Sequence, residues 1–166
     1  MADLTVRDAS ANDAEAIARI YNQGIEDRVA TLETVPRTAD ERRQWLAVHS
    51  GRYPVLVAAS AGGQVVGWAS LNQFNPRPAY DNVADFSVYV AREARGSGVG
   101  TLLLSALEER ARQIGFHKLV LAAFPTNSAG MRLYTQRGFQ VVGTYREQGL
   151  LDGRWVDVIL MEKILR

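Results

Sequence analysis

Arg95-Gly96-Ser97-Gly98-Val99-Gly100 stands between an apolar stretch, Ser87-Val88-Tyr89-Val90, and a segment with Leu102, Leu103, Ala106, Leu107 and Ala111 on one helical face. Three glycines in five positions let the backbone bend tightly and present consecutive N–H groups without side-chain obstruction. A helix N-terminus directly afterwards adds its dipole, so a phosphate or pyrophosphate sits well there. A tight strand-to-helix turn with no ligand would use the same glycines. A Walker loop ends in Gly-Lys-Ser/Thr, and Gly100-Thr101 lacks the lysine. A dinucleotide fingerprint needs G-x-G-x-x-G in a parallel unit near the chain start. Here the spacing is Gly96-x-Gly98-x-Gly100, behind strands that read as antiparallel. Neither nucleotide motif fits.

Outward from the loop, strands and helices alternate. Upstream, Val55–Ala59 is a buried-strand run, Ala61-Gly-Gly a turn, Val65–Leu71 a second strand and Ala84–Val90 a third. Asn75-Pro-Arg-Pro between the last two is a rigid loop, since each proline fixes its own φ and restricts its predecessor. Nearer the start, Leu4–Arg7 reads as a short strand. Asn12 or Asp13 is placed to cap a helix through Ala14, Ile17, Ala18, Ile20 and Tyr21. Gly24 to Pro36 reads as irregular, with room for residual helix after Gly24. Thr38-Ala-Asp-Glu41 is a capping box opening a helix through Trp45, Leu46 and Val48, which closes near Gly51. Downstream, Leu119–Ala123 is a strand, Ser128–Gln136 a short helix stopped at Gly138, and two closing strands flank the Asp152-Gly153 turn. The pattern predicts a single α/β domain over 1–166, with a mixed central sheet flanked by helices.

Composition narrows the function. Nineteen Lys and Arg against eighteen Asp and Glu give a net charge of +1, unlike the basic excess of a nucleic-acid binder. With no cysteine, a disulfide scaffold, a thiolate nucleophile, an iron–sulfur cluster and a cysteine zinc site are excluded. Asp3, Arg7 and Asp8 interrupt any apolar stretch at the N-terminus, and no apolar run approaches the roughly 20 residues of a membrane span. The expectation is a cytoplasmic protein without membrane or nucleic-acid partners. Neither histidine belongs to a metal or dyad pattern: His49 ends a helix, where a cation suits the dipole, and His117 lies in a turn. Both read as structural, and Arg42-Arg43 as the solvated face of a helix.

R-x-x-G-x-G from Arg95 to Gly100 after a strand ending Ser87–Val90, with Asn127 and Leu133-Tyr-Thr-Gln-Arg-Gly-Phe139 downstream, resembles the GNAT family of N-acetyltransferases. The resemblance follows element order along nearly the whole chain. Arg77-Pro-Ala-Tyr-Asp81, Ala84–Val90 and Gly153-Arg-Trp-Val-Asp-Val158 look like segments of phosphinothricin acetyltransferases. That branch includes enzymes acting on methionine sulfoximine, methionine sulfone and arsinothricin, all amino acids with a tetrahedral polar head. The Asn75–Tyr80 stretch leans toward the arsinothricin enzymes.

The resemblance implies acetyl-CoA as cosubstrate and no metal. It places the pyrophosphate at Arg95, Gly96, Ser97, Gly98, Val99, Gly100 and Thr101, and the pantetheine arm along Val88, Tyr89 and Val90 and beside Asn127. The family's strand glutamate corresponds to Asp85, one methylene shorter, which favours a water-mediated relay from the amine. A plain structural use of Asp85, ordering the nearby loop, stays open. Glu26 is the second candidate for base or amine ligand. Tyr134 matches the family's acid for the departing thiolate, although this branch often departs from tyrosine there; simple packing beside the cofactor is the alternative. Arg77 suits the anionic head, because a guanidinium gives paired hydrogen bonds to two oxygens. Phe74 and Tyr80 are candidate pocket walls. Leu32 stands where relatives carry an aromatic, leaving a roomier side, and Val156 stands where herbicide-detoxifying members carry a histidine. A homodimer is implied, with mild support from the apolar run Val156–Met161. The competing functions are a peptide or protein N-acetyltransferase and an acetyl-CoA sensor that transfers nothing.

Overall fold

The apolar run Val55–Ala59 is buried on both faces because helices cover the sheet on either side. The computed structural model describes residues 3–49 and 51–166 and arranges seven strands in one sheet. They are β1 (Leu4–Asp8), β2 (Val55–Ser60), β3 (Val65–Gln73), β4 (Val83–Val90), β5 (Lys118–Ala123), β6 (Gln140–Leu151) and β7 (Arg154–Ile164). Their spatial order is β1-β2-β3-β4-β5-β7-β6. The helices are α1 (Ala14–Asp27), α2 (Ala39–Val48), α3 (Val99–Ile114) and α4 (Ser128–Gln136). Leu103, Leu104, Leu107 and Ala111 of α3 join the main core with Leu56, Leu71 and Leu119. Ile17, Ile20 and Ile25 of α1 join Val57 and Trp68 in a second core on the opposite face. The sheet is mixed, as the pattern predicts.

Among the described residues only β4 and β5 pair in parallel, over Val83–Asp85 and Lys118–Val120. Beyond Asp85 the strands part, and Phe86 to Val90 keep ladder partners on the β3 side alone. That opening seats the site described below. At the other end of the sheet, Asp152 (φ 52°) and Gly153 (φ 76°) form the left-handed pair of a tight hairpin joining β6 to β7.

One buried ionic cluster fixes the helix that walls the opening. Glu108 of α3 is fully buried, and Arg137, at the end of α4, donates to it at 2.8 Å. Lys163 of β7 donates both to Glu108 and to the Arg137 carbonyl oxygen. Removing the carboxylate leaves two cations without their partner. Glu108→Ala is therefore expected to cost about 3 kcal/mol, a fall in Tm of roughly 6–12 °C for a chain of this size. Thermal unfolding followed by circular dichroism measures it; a fall under about 2 °C would show that the cluster contributes little.

Several local expectations are corrected. Neither Asn12 nor Asp13 caps α1 with its side chain; Asp13 instead accepts from the Ser10 N–H (2.8 Å), and Arg7 donates to it at 2.8 Å. The α1 helix continues past Gly24 to Asp27, within the room left for helix there, and a Cβ at Gly24 would lie 3.1 Å from the Tyr89 ring. Half of the capping box forms. Thr38 accepts from the Glu41 N–H at 3.1 Å, while the Glu41 carboxylate pairs with Arg37. Arg42 is not on a solvated face: it is 8% exposed and lies over the rings of Tyr21 and Trp45. Among the described residues, no helix is long and apolar enough to cross a membrane.

Candidate active site

A cleft of about 580 Å³ opens where β4 leaves β5. Val88, Tyr89 and Val90 form one wall, and Asn127, Leu133 and Tyr134 form the opposite one. The Ala91 N–H donates to the Val66 carbonyl on the β3 side. Alternation along the strand then turns the N–H groups of Val88 and Val90 toward the open side. At the cleft's end, Gly96 (φ 78°) and Gly98 (φ 89°) adopt left-handed backbone, which places the loop beneath the first turn of α3. Among the described residues no side chain caps that helix, so its leading N–H groups face the cleft without a side-chain acceptor. A Cβ at Gly100 would sit 3.2 Å from Leu133, so this glycine lets α3 and α4 approach each other at the cleft. Such a cradle of uncapped N–H groups fits a pyrophosphate.

The loop is tied down from outside. Arg95 pairs with Asp27 of α1 at 2.6 Å and donates to the Val90 carbonyl at 3.3 Å. Hydrogen bonds from Arg92 and Arg95 hold Asp27 below the usual carboxylate range. Ser97 turns back to donate to the Ala94 carbonyl, closing the loop on itself. Gly96, Val99 and Thr101 also border the cleft. Asn127 caps α4, its Oδ1 accepting from the Gly130 N–H at 3.0 Å.

At the opposite end of β4, Asp85 is largely buried on the strand whose partner changes there. Burial pushes its carboxyl up to about 6, opposed by a hydrogen bond from Asn72. Asn72 Nδ2 donates to Asp85 Oδ1 at 3.4 Å and to Ser87 Oγ at 3.2 Å, while Ser70 Oγ donates to Asn72 Oδ1 at 3.0 Å. Tyr134 is pushed up to about 12, by burial first and then by the Asp85 charge. Tyr134 borders the cleft, whereas Asp85 lies outside its lining. Burial likewise pushes the Tyr89 phenol up. Among the described residues, no group of three His, Cys, Asp or Glu side chains could hold a metal ion.

Other predicted site residues lie elsewhere. Arg77, Phe74 and Tyr80 are exposed in the β3–β4 connection and do not border the cleft; Phe74 and Tyr80 meet edge to face at 5.4 Å. An Asn75 side-chain oxygen accepting from the Arg77 N–H at 3.0 Å shapes that loop. The loop leads into β4 just before Asp85, so it sits at the same end of the strand. Glu26 also lies outside the cleft: its carboxylate accepts from Arg92 at 2.9 Å on an exposed surface. Leu32 lies outside the cleft as well. It packs against Gly149 of β6, and Val29 and Ala30 border the cleft instead. Sequence reasoning missed Asn72 and Ser70. Their signal lay in the β3–β4 register, which sets Asn72 opposite Asp85 and Ser70 opposite Ser87.

The splayed β4–β5 pair and the glycine loop under the α3 N-terminus form the cleft. The model of the acetyltransferase (GNAT) family matches residues 17–139, and the chain belongs to that family. The L-methionine sulfoximine/L-methionine sulfone acetyltransferase of Pseudomonas aeruginosa is 35% identical over 95% of this chain and 92% of its own length. The solved phosphinothricin acetyltransferase of Sinorhizobium meliloti, in complex with acetyl-CoA, superposes with a TM-score of 0.92 at 33% identity, over 98% of this chain and 88% of that one. A ribosomal-protein-alanine N-acetyltransferase from Brucella melitensis superposes equally well, with a TM-score of 0.92 at 38% identity, over 97% and 99% of the two chains. This protein is an N-acetyltransferase.

Proposed function

We propose that this chain acetylates the α-amine of a small amino acid with a tetrahedral, oxygen-rich head, using acetyl-CoA. Phosphinothricin, methionine sulfoximine, methionine sulfone and arsinothricin share that chemistry, and their acetylation would confer resistance. The observation that carries the reading is the cleft where β4 leaves β5, with the glycine loop and the uncapped α3 N-terminus at its end and Tyr134 in its wall. Near-full-length similarity to an enzyme named for methionine sulfoximine and sulfone favours the acceptor class. Acetyl-CoA supplies an activated thioester carbon when bound.

The chain's own groups supply the rest. A free α-amine titrates near 7.7–8.0, so about a tenth of it is neutral at pH 7. Asp85, ionised at that pH, accepts the proton of the attacking amine directly or through one water. The Val88 N–H, turned to the open side of β4, is placed to donate to an oxygen that gains charge during attack. Tyr134 keeps its proton and delivers it to the departing sulfur. Gly96, Gly98 and the first turn of α3 hold the pyrophosphate, with Asn127 beside the pantetheine arm.

Arg77 is assigned to the acceptor's anionic head. Arg77→Ala is expected to raise KM for phosphinothricin about tenfold or more, the loss of a charge-assisted pair. KM for methionine sulfone, whose head is neutral, should change by less than about threefold, since only a neutral-acceptor bond is lost. Equal changes for both acceptors would remove Arg77 from this role. A peptide N-terminus is the second reading, favoured by the Brucella neighbour, which acts on ribosomal-protein alanine. A homodimer accords with the exposed apolar residues Val141, Val142, Tyr145 and Trp155 on β6 and β7. Sedimentation velocity tests it, and a single monomer boundary at micromolar concentration would refute it.

A further inference from the structure

Behind the aromatic wall of the cleft lies a second, smaller cavity of about 310 Å³ between α1 and α2, bordered by Tyr21, Arg37, Glu41, Arg42 and Trp45. Its chemistry is unusual for a structural gap. Arg42 is 8% exposed, yet no side-chain carboxylate or carbonyl accepts from its guanidinium among the described residues. Its Nε and the Trp68 Nε1 are the buried side-chain donors without a partner among those residues. Both belong to one cluster: the guanidinium carbon lies 4.4 Å from the Tyr21 ring centre, 4.6 Å from Trp45 and 5.3 Å from Trp68.

Aromatic faces stabilise a guanidinium, but they accept none of its in-plane N–H bonds. A buried charge lacking those bonds is costly, and burial holds Arg42 below the ordinary arginine range. Neighbouring acids are already engaged: Arg37 takes Glu33 at 3.3 Å and Glu41 at 3.4 Å. Arg37 and Arg42 against Glu41 leave the cavity lining one positive charge in excess.

We propose that this cavity is a binding site for a small monocarboxylate with a flat apolar body, its carboxylate on Arg42 and its body against Tyr21 and Trp45. A carboxylate matches the guanidinium fork with two parallel hydrogen bonds, and one negative charge cancels the excess. Ring walls at Tyr21 and Trp45 select a planar body over a compact inorganic ion. The site is separate from the acetyl-transfer cleft. Tyr89 stands between them, bordering the cleft while stacking on Trp68 at 5.0 Å and meeting Tyr21 at 5.1 Å.

Benzoate is the probe, titrated into the full chain while nitrogen-resolved NMR follows the arginine Nε–H and tryptophan Nε1–H signals. The Arg42 and Trp45 signals should shift and saturate below about 10 mM benzoate, with Trp155 unmoved. Arg42→Met should weaken binding at least tenfold, an expectation of order for losing a charge-assisted fork. Arg77→Ala should leave it unchanged. Glu41→Gln, which keeps Arg42 and removes a negative charge from the lining, should tighten binding about twofold or more; it tests the site even if Arg42→Met fails to fold. Arg42 signals that do not move, binding unaltered in Arg42→Met, loss in Arg77→Ala, or saturation by inorganic phosphate but not benzoate would each overturn the assignment.

Discussion

Asp85→Asn lowers kcat at least about a hundredfold, the usual scale of a lost general base, while KM for acetyl-CoA stays close to its original value. The carboxamide fills the same space beside Asn72 but accepts no proton. The pH profile separates this loss from a merely structural one. With Asp85 held at about 6 by burial, kcat/KM of the unaltered enzyme should fall as pH drops through about 6, because the carboxylate protonates. The component of that limb at about 6 should vanish in Asp85→Asn, leaving the limb set by the amine near 7.7–8.0.

Stability should move the opposite way. A carboxyl raised in the folded state binds protons more tightly there than in the unfolded chain. Its favourable contribution is complete below about 4 and lost as pH rises through about 6. Keeping the buried group ionised at neutral pH costs up to about 3 kcal/mol. Asp85→Asn is therefore expected to melt higher than the original at pH 7–8 and to gain nothing near pH 4. An unchanged pH–rate profile together with an unchanged Tm would remove Asp85 from the base role.

The second large effect falls on the cradle. Gly98→Asp should raise KM for acetyl-CoA more than about a hundredfold, with the fold intact by circular dichroism. Left-handed backbone at φ 89° costs a residue with a Cβ about 1–2 kcal/mol. The carboxylate adds repulsion just where the uncapped N–H groups of α3 would meet phosphate. Gly98→Ala carries the conformational cost alone, so its smaller rise in KM separates strain from charge. Equal effects of Asp and Ala would mean that no anion binds at this turn.

What the sequence revealed was local. Gly96, Gly98 and Gly100 carry their meaning in their spacing, and Asp152-Gly153 dictates its hairpin. Residues whose meaning depends on which face they occupy were harder to read. Gly24 faces Tyr89, and Glu26, two residues on, is turned about 200° around the helix; it meets Arg92 outside the cleft. Arg42 shares a helical stripe with Trp45 and Leu46, three and four positions ahead, and that stripe could have marked it as inward-facing. Charge made it look solvated, whereas Arg43 beside it does reach an exposed partner, Asp40. Asn72 reaches Asp85 across the strand pair and Ser70 reaches Asn72 along its own strand, so the register of β3 on β4 reveals them. Leu32 follows a helix end that sequence periodicity placed earlier, and its partner Gly149 lies more than a hundred residues away.

The most direct measurement is thiol release from acetyl-CoA in the presence of phosphinothricin, arsinothricin, methionine sulfoximine, methionine sulfone or a short alanine-led peptide, with the product identified by mass. The account predicts N-acetylation of at least one tetrahedral-headed amino acid, with kcat/KM at least about tenfold above that for the peptide, a difference of about 1.4 kcal/mol in transition-state binding. Acetylation of the peptide alone, or acetyl-CoA bound with no acceptor modified, would contradict it.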